Sequence, residues 1–126
     1  MGEATIRRVI EYGVGLTAGG LPPEAVAPFV AKVREAWLEA RQGEPRIVGL
    51  VSFSPGYTEA ASRAYLLDYY KLIGEMAEMI AGSALRSPEA IRNAVQGYAE
   101  AGLDELILDP TVSDPKQFDL LAQIVL

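Results

Sequence analysis

The sequence predicts an α/β fold in which short apolar strands alternate with longer helices. The clearest unit is AEAGLDELILDPTVSDPKQFD, where a helix ends at Gly102, a strand follows from Glu105 to Leu108, and Asp114-Pro115 opens another helix. Glycine tolerates the left-handed backbone that ends many helices, proline cannot donate to a strand ladder, and an Asp-Pro pair suits a helix N-terminus. This order of elements is typical of repeated βα units.

Length and composition set broad limits on organisation and chemistry. The 126 residues predict a single domain, residues 1–126. A net charge of −6 disfavours binding to nucleic acid. The chain has no cysteine and no histidine, which excludes disulfides, thiol chemistry, Ser-His-Asp triads and the common zinc sites. We therefore predict no metal site.

Apolar content points to a partner subunit. Half of the residues are hydrophobic and the mean hydropathy is +0.15, which is high for a small monomer. Surplus apolar surface is usually buried between subunits, so we predict a homodimer or a larger homo-oligomer. The apolar run IVGLV (Ile47 to Val51) is far too short to span a membrane, and the N-terminus shows no signal region. A cytoplasmic protein with no membrane partner is the expectation.

Two further strands are predicted, from Val14 to Ala18 and from Arg46 to Phe53. The second, RIVGLVSF, is apolar at both alternating sets of positions. This pattern is typical of a strand with helices on both sides.

Helices are predicted from apolar spacing and from their terminal residues. They run from Ala4 to Glu11, from Pro22-Pro23 to Gly43, from Glu59 to about Ile80 with a break near Gly74, from Ser87-Pro88 to Ala101, and from Lys116 to Val125. We expect the last helix to turn Phe118, Leu121, Ile124 and Val125 inward.

Two stretches resemble the luciferase-like flavin-dependent oxidoreductases. They are RRVIEYGVGLTAGG (Arg7 to Gly20) and SPEAIRNAVQGYAEAGLDELILDPTVSDPKQFDLLAQ (Ser87 to Gln123). The tyrosine-rich segment from Tyr65 to Ile80 falls where that family has an inserted helical region. The resemblance covers nearly the whole chain but corresponds to about the last two-fifths of a typical (β/α)8 barrel of the family.

This resemblance implies a fold and a cofactor. Members of the family are (β/α)8 TIM barrels, monooxygenases among them, that use FMN or a deazaflavin coenzyme. The chain is therefore expected to form a partial barrel with about three mainly parallel strands and long covering helices. Most of the strands that carry the family's cofactor contacts are missing, so the resemblance implies a chain that is not catalytically complete alone.

Four residues are candidate cofactor contacts. Thr17, Gly19 and Gly20 precede a helix opened by proline, where exposed N–H groups suit a phosphate or flavin. The alternative is a tight βα turn without a ligand. Ser54 follows the strongest strand, at the end where barrels of this kind place their sites. Its alternative role is to cap the next helix.

Other positions are weaker candidates, and no catalytic residue is identified. Hydroxyls of Ser52 and Tyr57 and the carboxylate of Asp109 also lie at predicted strand ends. The cations Arg63, Lys71 and Arg86 either hold a flavin phosphate or are solvated surface groups. A cluster of aromatic and methionine side chains forms a core or subunit interface, or lines a substrate pocket; it comprises Tyr65, Tyr69, Tyr70, Met76 and Met79.

Two functions outside the oxidoreductase class stay open. One is a non-catalytic, self-associating α/β module. The other is a small-ligand protein that binds phosphate or flavin at the Gly19-Gly20 turn.

Overall fold

A computed structural model describes residues 2–40 and 43–126. The chain divides into two compact units. The first unit is Met1–Leu50 with Ala94–Ile107, and the second unit is Val51–Asn93 with Leu108–Leu126. The predicted helix end at Gly43 cannot be traced because residues 41 and 42 lie outside the described residues.

Helices and strands alternate along the described chain. The helices are α1 (Glu3–Tyr12), α2 (Pro23–Ala40), α3 (Glu59–Tyr69), α4 (Glu75–Ser83), α5 (Pro88–Glu100) and α6 (Lys116–Val125), and the strands are β1 (Gly15–Gly19), β2 (Arg46–Phe53) and β3 (Glu105–Pro110). A 3₁₀ turn, Lys71–Ile73, separates α3 from α4.

The strands form one sheet in the order β1-β2-β3. Strands β1 and β2 are parallel, and their register runs from Gly15 opposite Arg46 to Gly19 opposite Leu50. The prediction of an α/β chain with three parallel strands is confirmed. Strand β3 continues to Pro110, beyond the predicted end at Leu108, because a proline removes only a donor and is accepted on an edge strand.

Only one face of the sheet is buried within the first unit. Leu16, Ala18 and Ile47 are buried, whereas Leu50 and Ile107 on the other face are 40% and 43% exposed. The prediction that helices cover β2 on both sides is therefore wrong here. The sequence of a strand indicates which of its side chains are apolar. It does not indicate whether a helix or another strand packs against them.

Asp104 joins strands β2 and β3 to helix α2. Its carboxylate accepts the Ile47 N–H at 2.7 Å, and its own N–H donates to the Ile47 carbonyl at 2.9 Å. Arg34 of α2 donates to the same carboxylate at 3.1 Å and to the Gly102 carbonyl at 2.8 Å. The Ile47 N–H, and after it Arg34 and Arg46, lower the pKa of Asp104 against the opposing effect of burial.

In the second unit, α3 and α4 pack together around Leu66, Ala81 and Ala84. The predicted break near Gly74 is confirmed, since Gly74 has φ +62° and lies between the 3₁₀ turn and α4. This conformation is accessible to glycine and strained for other residues.

Helix α6 has the predicted bounds but not the predicted buried face. Phe118 and Val125 are 58% and 39% exposed, while Gln117 is 3% exposed. Leu121 and Ile124 are half-buried. Gln117 is held by the bond from its Nε2 to the Pro55 carbonyl at 3.2 Å, so a long-range polar contact sets which face of α6 is buried.

Gly102 follows α5 with φ +87°, and a Cβ there would make ordinary contacts with Val30 Cγ1 at 3.5 Å and Arg34 Nε at 3.9 Å. Gly102→Ala should therefore lower the free energy of unfolding by about 1 kcal/mol through backbone strain and not through a clash. Gly82→Ala, inside α4 and in open space, should raise it by about 0.5–1 kcal/mol. Urea unfolding of both variants measures the difference, and equal effects at the two sites would contradict this account.

The lowered pKa of Asp104 predicts a pH-dependent contribution to stability. The bonds to the ionised carboxylate contribute above its ordinary pKa and are lost as the pH falls through the lower folded-state value. Asp104→Asn should therefore lower the free energy of unfolding by about 1 kcal/mol at pH 7, because the carboxylate is half-exposed and screened. The difference should shrink below about pH 4.

The control for this variant is Glu39→Gln, an exposed carboxyl on the same helix α2 as Arg34. Thermal melts of both variants at several pH values test the prediction. A deficit in Asp104→Asn that persists unchanged at pH 3 would show that the charge on this carboxyl is irrelevant to stability.

Candidate functional site

The first part of the predicted site lies in the first unit, at the carboxyl end of β1. Thr17 and Gly19 are exposed strand residues, and Gly20 follows with φ +75°. A Cβ on Gly20 would meet nothing within 4 Å, and one on Gly19 would make only ordinary contacts with Leu50. The strand therefore ends in an open turn where another group can approach the backbone closely.

The helix that follows this turn offers few N–H groups. Pro22 and Pro23 have none, and the amides of Ala25 and Val26 both donate to the Pro22 carbonyl. Glu24 also places a carboxylate in the first turn of α2. An anion at this turn would have to rely on the amides of the glycine turn itself.

Tyr98 supports the turn from helix α5. Its hydroxyl donates to the Leu21 carbonyl at 2.7 Å, and the side chain is 5% exposed. Burial, and the charge of Glu24 after it, raise the pKa of the Tyr98 phenol, so the hydroxyl stays protonated and keeps this bond. A hydrogen bond from an uncharged hydroxyl therefore holds the Leu21 carbonyl of this turn in place.

Ser54 belongs to the second unit and is completely buried. Its N–H donates to the Leu85 carbonyl at 2.9 Å, and its carbonyl accepts the Thr58 hydroxyl at 2.6 Å. Its own Oγ has no hydrogen-bond partner among the described residues. Ser54 therefore does not cap α3, and the Thr58 side chain, which bonds to Ser54, does not cap it either.

A polar cluster in the same unit was not predicted from the sequence. The Thr111 hydroxyl, just after β3, donates to the Ser62 hydroxyl of α3 at 2.7 Å. Arg86 donates to Ser62 Oγ through Nε at 3.1 Å and through Nη2 at 2.9 Å, and Nη2 also reaches the Ala81 carbonyl at 2.7 Å. The only signal in the sequence was a hydroxyl directly after a strand-ending proline.

Arg86 is therefore not the solvated surface group that its isolation in the sequence suggested. Burial, the largest effect, lowers the pKa of its guanidinium; nearby Glu59 raises it and Arg63 lowers it. Arginine stays protonated in proteins, so the cluster carries a positive charge. The other two cations form ion pairs, Arg63 with Glu78 at 2.6 Å and Lys71 with Asp68 at 3.0 Å.

Gln117 adds a second unsatisfied polar atom to the second unit. Its Nε2 donates to the Pro55 carbonyl, and its Oε1 is buried with no partner among the described residues. Ser54 and Gln117 thus each bring one buried, unsatisfied oxygen to the Pro55 segment. Such atoms usually accept a bond from an ordered water or another small polar group.

The remaining candidates show no sign of a reactive centre. Ser52 is half-buried, Asp109 is exposed and Tyr57 is fully exposed. Tyr65 stacks on Tyr69 with their centroids 6.1 Å apart. Four side chains of the aromatic and methionine cluster are exposed: Tyr65, Tyr69, Met76 and Met79. These four side chains therefore do not enclose a substrate pocket.

Two surface cavities of about 250 and 300 Å³ lie in the first unit. The first is lined by Gly2, Glu3, Ile6, Phe29 and Lys32, and the second by Pro23, Glu24, Ala27, Gly97, Glu100 and Ala101. Neither includes a predicted cofactor contact.

Within residues 2–40 and 43–126, no group of three or more carboxylate, histidine or cysteine residues is placed to hold a metal, and no helix has the length and apolar character needed to cross a membrane.

Solved structures with a similar fold include three proteins at 16% sequence identity. An F420-dependent secondary alcohol dehydrogenase in complex with an F420-acetone adduct matches 99% of this chain and 46% of its own, with a TM-score of 0.69. Riboflavin lyase with modified FMN and its substrate riboflavin matches 98% of this chain and 39% of its own, with a TM-score of 0.60. Apo-MsnO8 matches 96% and 47%, with a TM-score of 0.56.

These likenesses show the fold of the chain. The chain spans less than half the length of each of these structures. No protein-family model and no curated protein sequence matches it.

Ser62→Ala removes the oxygen that accepts two N–H groups of Arg86 and the hydroxyl of Thr111. Arg86 Nε would lose its acceptor, whereas Nη2 keeps the Ala81 carbonyl and the Thr111 hydroxyl lies 3.4 Å from the Phe53 carbonyl. The free energy of unfolding should therefore fall by about 1–2 kcal/mol. Ser83→Ala, at an exposed hydroxyl that donates to the Ile80 carbonyl, is the control and should cost less than about 0.5 kcal/mol. Similar urea midpoints for the two variants would show that the cluster contributes little.

Proposed function

We propose that this chain is a member, or a part of a member, of the luciferase-like flavin-dependent oxidoreductases, the family that includes the flavin monooxygenases. The supporting observation is the fold, which is similar to that of an F420-dependent dehydrogenase and of an FMN-containing lyase. The resemblance in residues 7–20 and 87–123 points to the same family independently of the fold. The cofactor we propose is FMN or a deazaflavin coenzyme.

The carboxyl end of β1 is the proposed cofactor contact in the first unit. Gly19 and Gly20 leave open space at the strand end, which a side chain on either residue would reduce. Thr17 is exposed on the same strand and offers a hydroxyl that can donate or accept a hydrogen bond. These three residues therefore place a hydrogen-bonding hydroxyl beside open backbone, which suits a flat polar ring system.

Ser54 is the proposed contact in the second unit, where its Oγ is the atom in need of a partner. It is fully buried, so a ligand can reach it only if the Pro55 segment opens. Arg86 supplies the positive charge of this unit but is committed to Ser62 and Ala81. We assign it a structural role and not a phosphate contact.

The chemistry proposed is redox chemistry that a bound flavin or deazaflavin supplies. In this proposal Thr17, Gly19, Gly20 and Ser54 bind and orient that group. Because the chain matches only 39–47% of its structural neighbours, we do not expect turnover from it alone.

Fluorescence titration with FMN, and separately with the deazaflavin coenzyme, tests the proposal. We expect a micromolar dissociation constant for one of them. Thr17→Val should weaken binding about 5- to 10-fold by removing one hydrogen bond, and Gly19→Val should weaken it at least about 10-fold by filling the open strand end. Thr5→Val on α1 and Gly82→Ala on α4 are the matched controls and should bind as the wild type does.

Absence of binding to both compounds at millimolar concentration would overturn the cofactor proposal. Equal losses in Thr17→Val and Thr5→Val would overturn the assignment of the site to β1. In the first case a non-catalytic, self-associating module becomes the better description, and the uncovered face of the sheet is the observation that favours it.

A further inference from the structure

The residues from Ser54 to Thr58 connect strand β2 with helix α3 in the second unit. The Thr58 hydroxyl donates to the Ser54 carbonyl at 2.6 Å, so the two ends of this connection are held together. We call the residues between these ends, Pro55 to Tyr57, the cover segment. Pro55 is buried, whereas Gly56 and Tyr57 are exposed.

Few interactions hold the cover segment in place. The Gln117 side chain of α6 donates from Nε2 to the Pro55 carbonyl at 3.2 Å, at the long end of ordinary hydrogen bonds. The Tyr57 side chain is fully exposed and contributes no packing. Among the described residues, the burial of Pro55 and this hydrogen bond are therefore the main interactions that keep the cover segment closed.

The closed arrangement leaves two buried oxygen atoms without a partner. Ser54 is 0% exposed and Gln117 is 3% exposed, and neither Ser54 Oγ nor Gln117 Oε1 has a hydrogen-bond partner among the described residues. The Gln117 amide cannot turn round to correct this, because the Pro55 carbonyl only accepts and needs Nε2 to face it. Burial of an unpartnered polar atom costs free energy, which is recovered when water reaches the atom.

Gly56 gives the cover segment a point at which its backbone can rotate. Its φ is +90°, a conformation that is accessible to glycine and strained for other residues. Pro55 beside it has no N–H whose hydrogen bond would be lost, and glycine has no side chain to repack. A change of the backbone angles at Gly56 therefore breaks few interactions.

We propose that the cover segment is a gate, which opens locally while the rest of the second unit stays folded and so exposes Ser54 Oγ and Gln117 Oε1. Gln117 holds the gate closed through its bond to Pro55. The open gate offers a hydroxyl and a carboxamide, which suit an uncharged polar ligand with N–H and C=O groups. The identity of this ligand as a flavin or deazaflavin rests on the function proposed above, whereas the opening itself does not.

Thiol labelling tests the gate, because the chain contains no cysteine. Ser54→Cys places a thiol, which is well tolerated in buried positions, beneath the cover segment. Ser62→Cys is the matched control, because Ser62 is also 0% exposed and belongs to the same unit but lies within helix α3. Both variants of the full chain are treated with iodoacetamide, and mass spectrometry follows the alkylated fraction.

Without urea, iodoacetamide should label Ser54→Cys at least about 100-fold faster than Ser62→Cys, because local opening is more frequent than global unfolding. Labelling of Ser54→Cys should not change with urea below the unfolding transition, since a local opening exposes little surface. Labelling of Ser62→Cys should rise with urea. Each rate is compared with the urea midpoint of the same variant, so that a loss of global stability is not mistaken for opening.

A substitution at Gly56 gives a second measurement in the Ser54→Cys background. Gly56→Ala should raise the labelling rate about fivefold or more, because alanine resists the φ of +90° in the closed arrangement. Gly43→Ala, at φ +85° in the first unit with open space around it, is the matched control. It should leave the labelling rate within about twofold, as expected for a distant site.

Labelling of Ser54→Cys at the same rate as Ser62→Cys, with the same dependence on urea, would overturn the proposal. An ordered water that bonds both oxygens and keeps the segment closed would then be the better explanation. Equal rates for Gly56→Ala and Gly43→Ala would overturn the rotation at Gly56. Labelling is measured without cofactor and flavin binding is measured by titration, so failure of the gate is distinguishable from failure of the proposed function.

Discussion

The first unit depends on one carboxylate, that of Asp104. It accepts the Ile47 N–H of β2 and the guanidinium of Arg34 from α2, while the Asp104 N–H donates to the Ile47 carbonyl. A single side chain thereby sets where β3 begins beside β2 and where α2 lies against that end of the sheet. Because the bonds are to an ionised group, they are about twice as strong as neutral ones.

The second unit uses a different kind of polar contact at its centre. Ser62, a small hydroxyl on α3, connects Thr111 after β3 with Arg86 before α5. Arg86 further holds the Ala81 carbonyl near the end of α4. Even a partly buried guanidinium is costly unless its donors are bonded, so these hydrogen bonds connect helices α3 and α4 to the segment that follows β3. They explain why an apparently isolated arginine is half-buried.

The role we propose for the candidate site residues is to bind and orient a cofactor. These residues offer hydroxyl, amide and glycine backbone groups, and the strongly buried phenol of Tyr98 is bonded to a carbonyl. A flavin or deazaflavin supplies the redox chemistry itself, and the protein binds it through a complementary shape and hydrogen bonds. The open turn at Gly19 and Gly20 is the contact we propose in the first unit, and the unsatisfied Oγ of Ser54 is the one we propose in the second.

The sequence by itself determined the bounds of β2 and α6, the break at Gly74 and the cap at Gly102, because apolar period, proline and glycine act within a few residues. It also predicted the α/β class and the resemblance to flavin enzymes. Only the tertiary structure decided that Gln117 and not Phe118 is buried, that Arg86 is held by Ser62, and that one face of the sheet is open. These features depend on which distant residues meet, and periodicity along the chain carries no information about them.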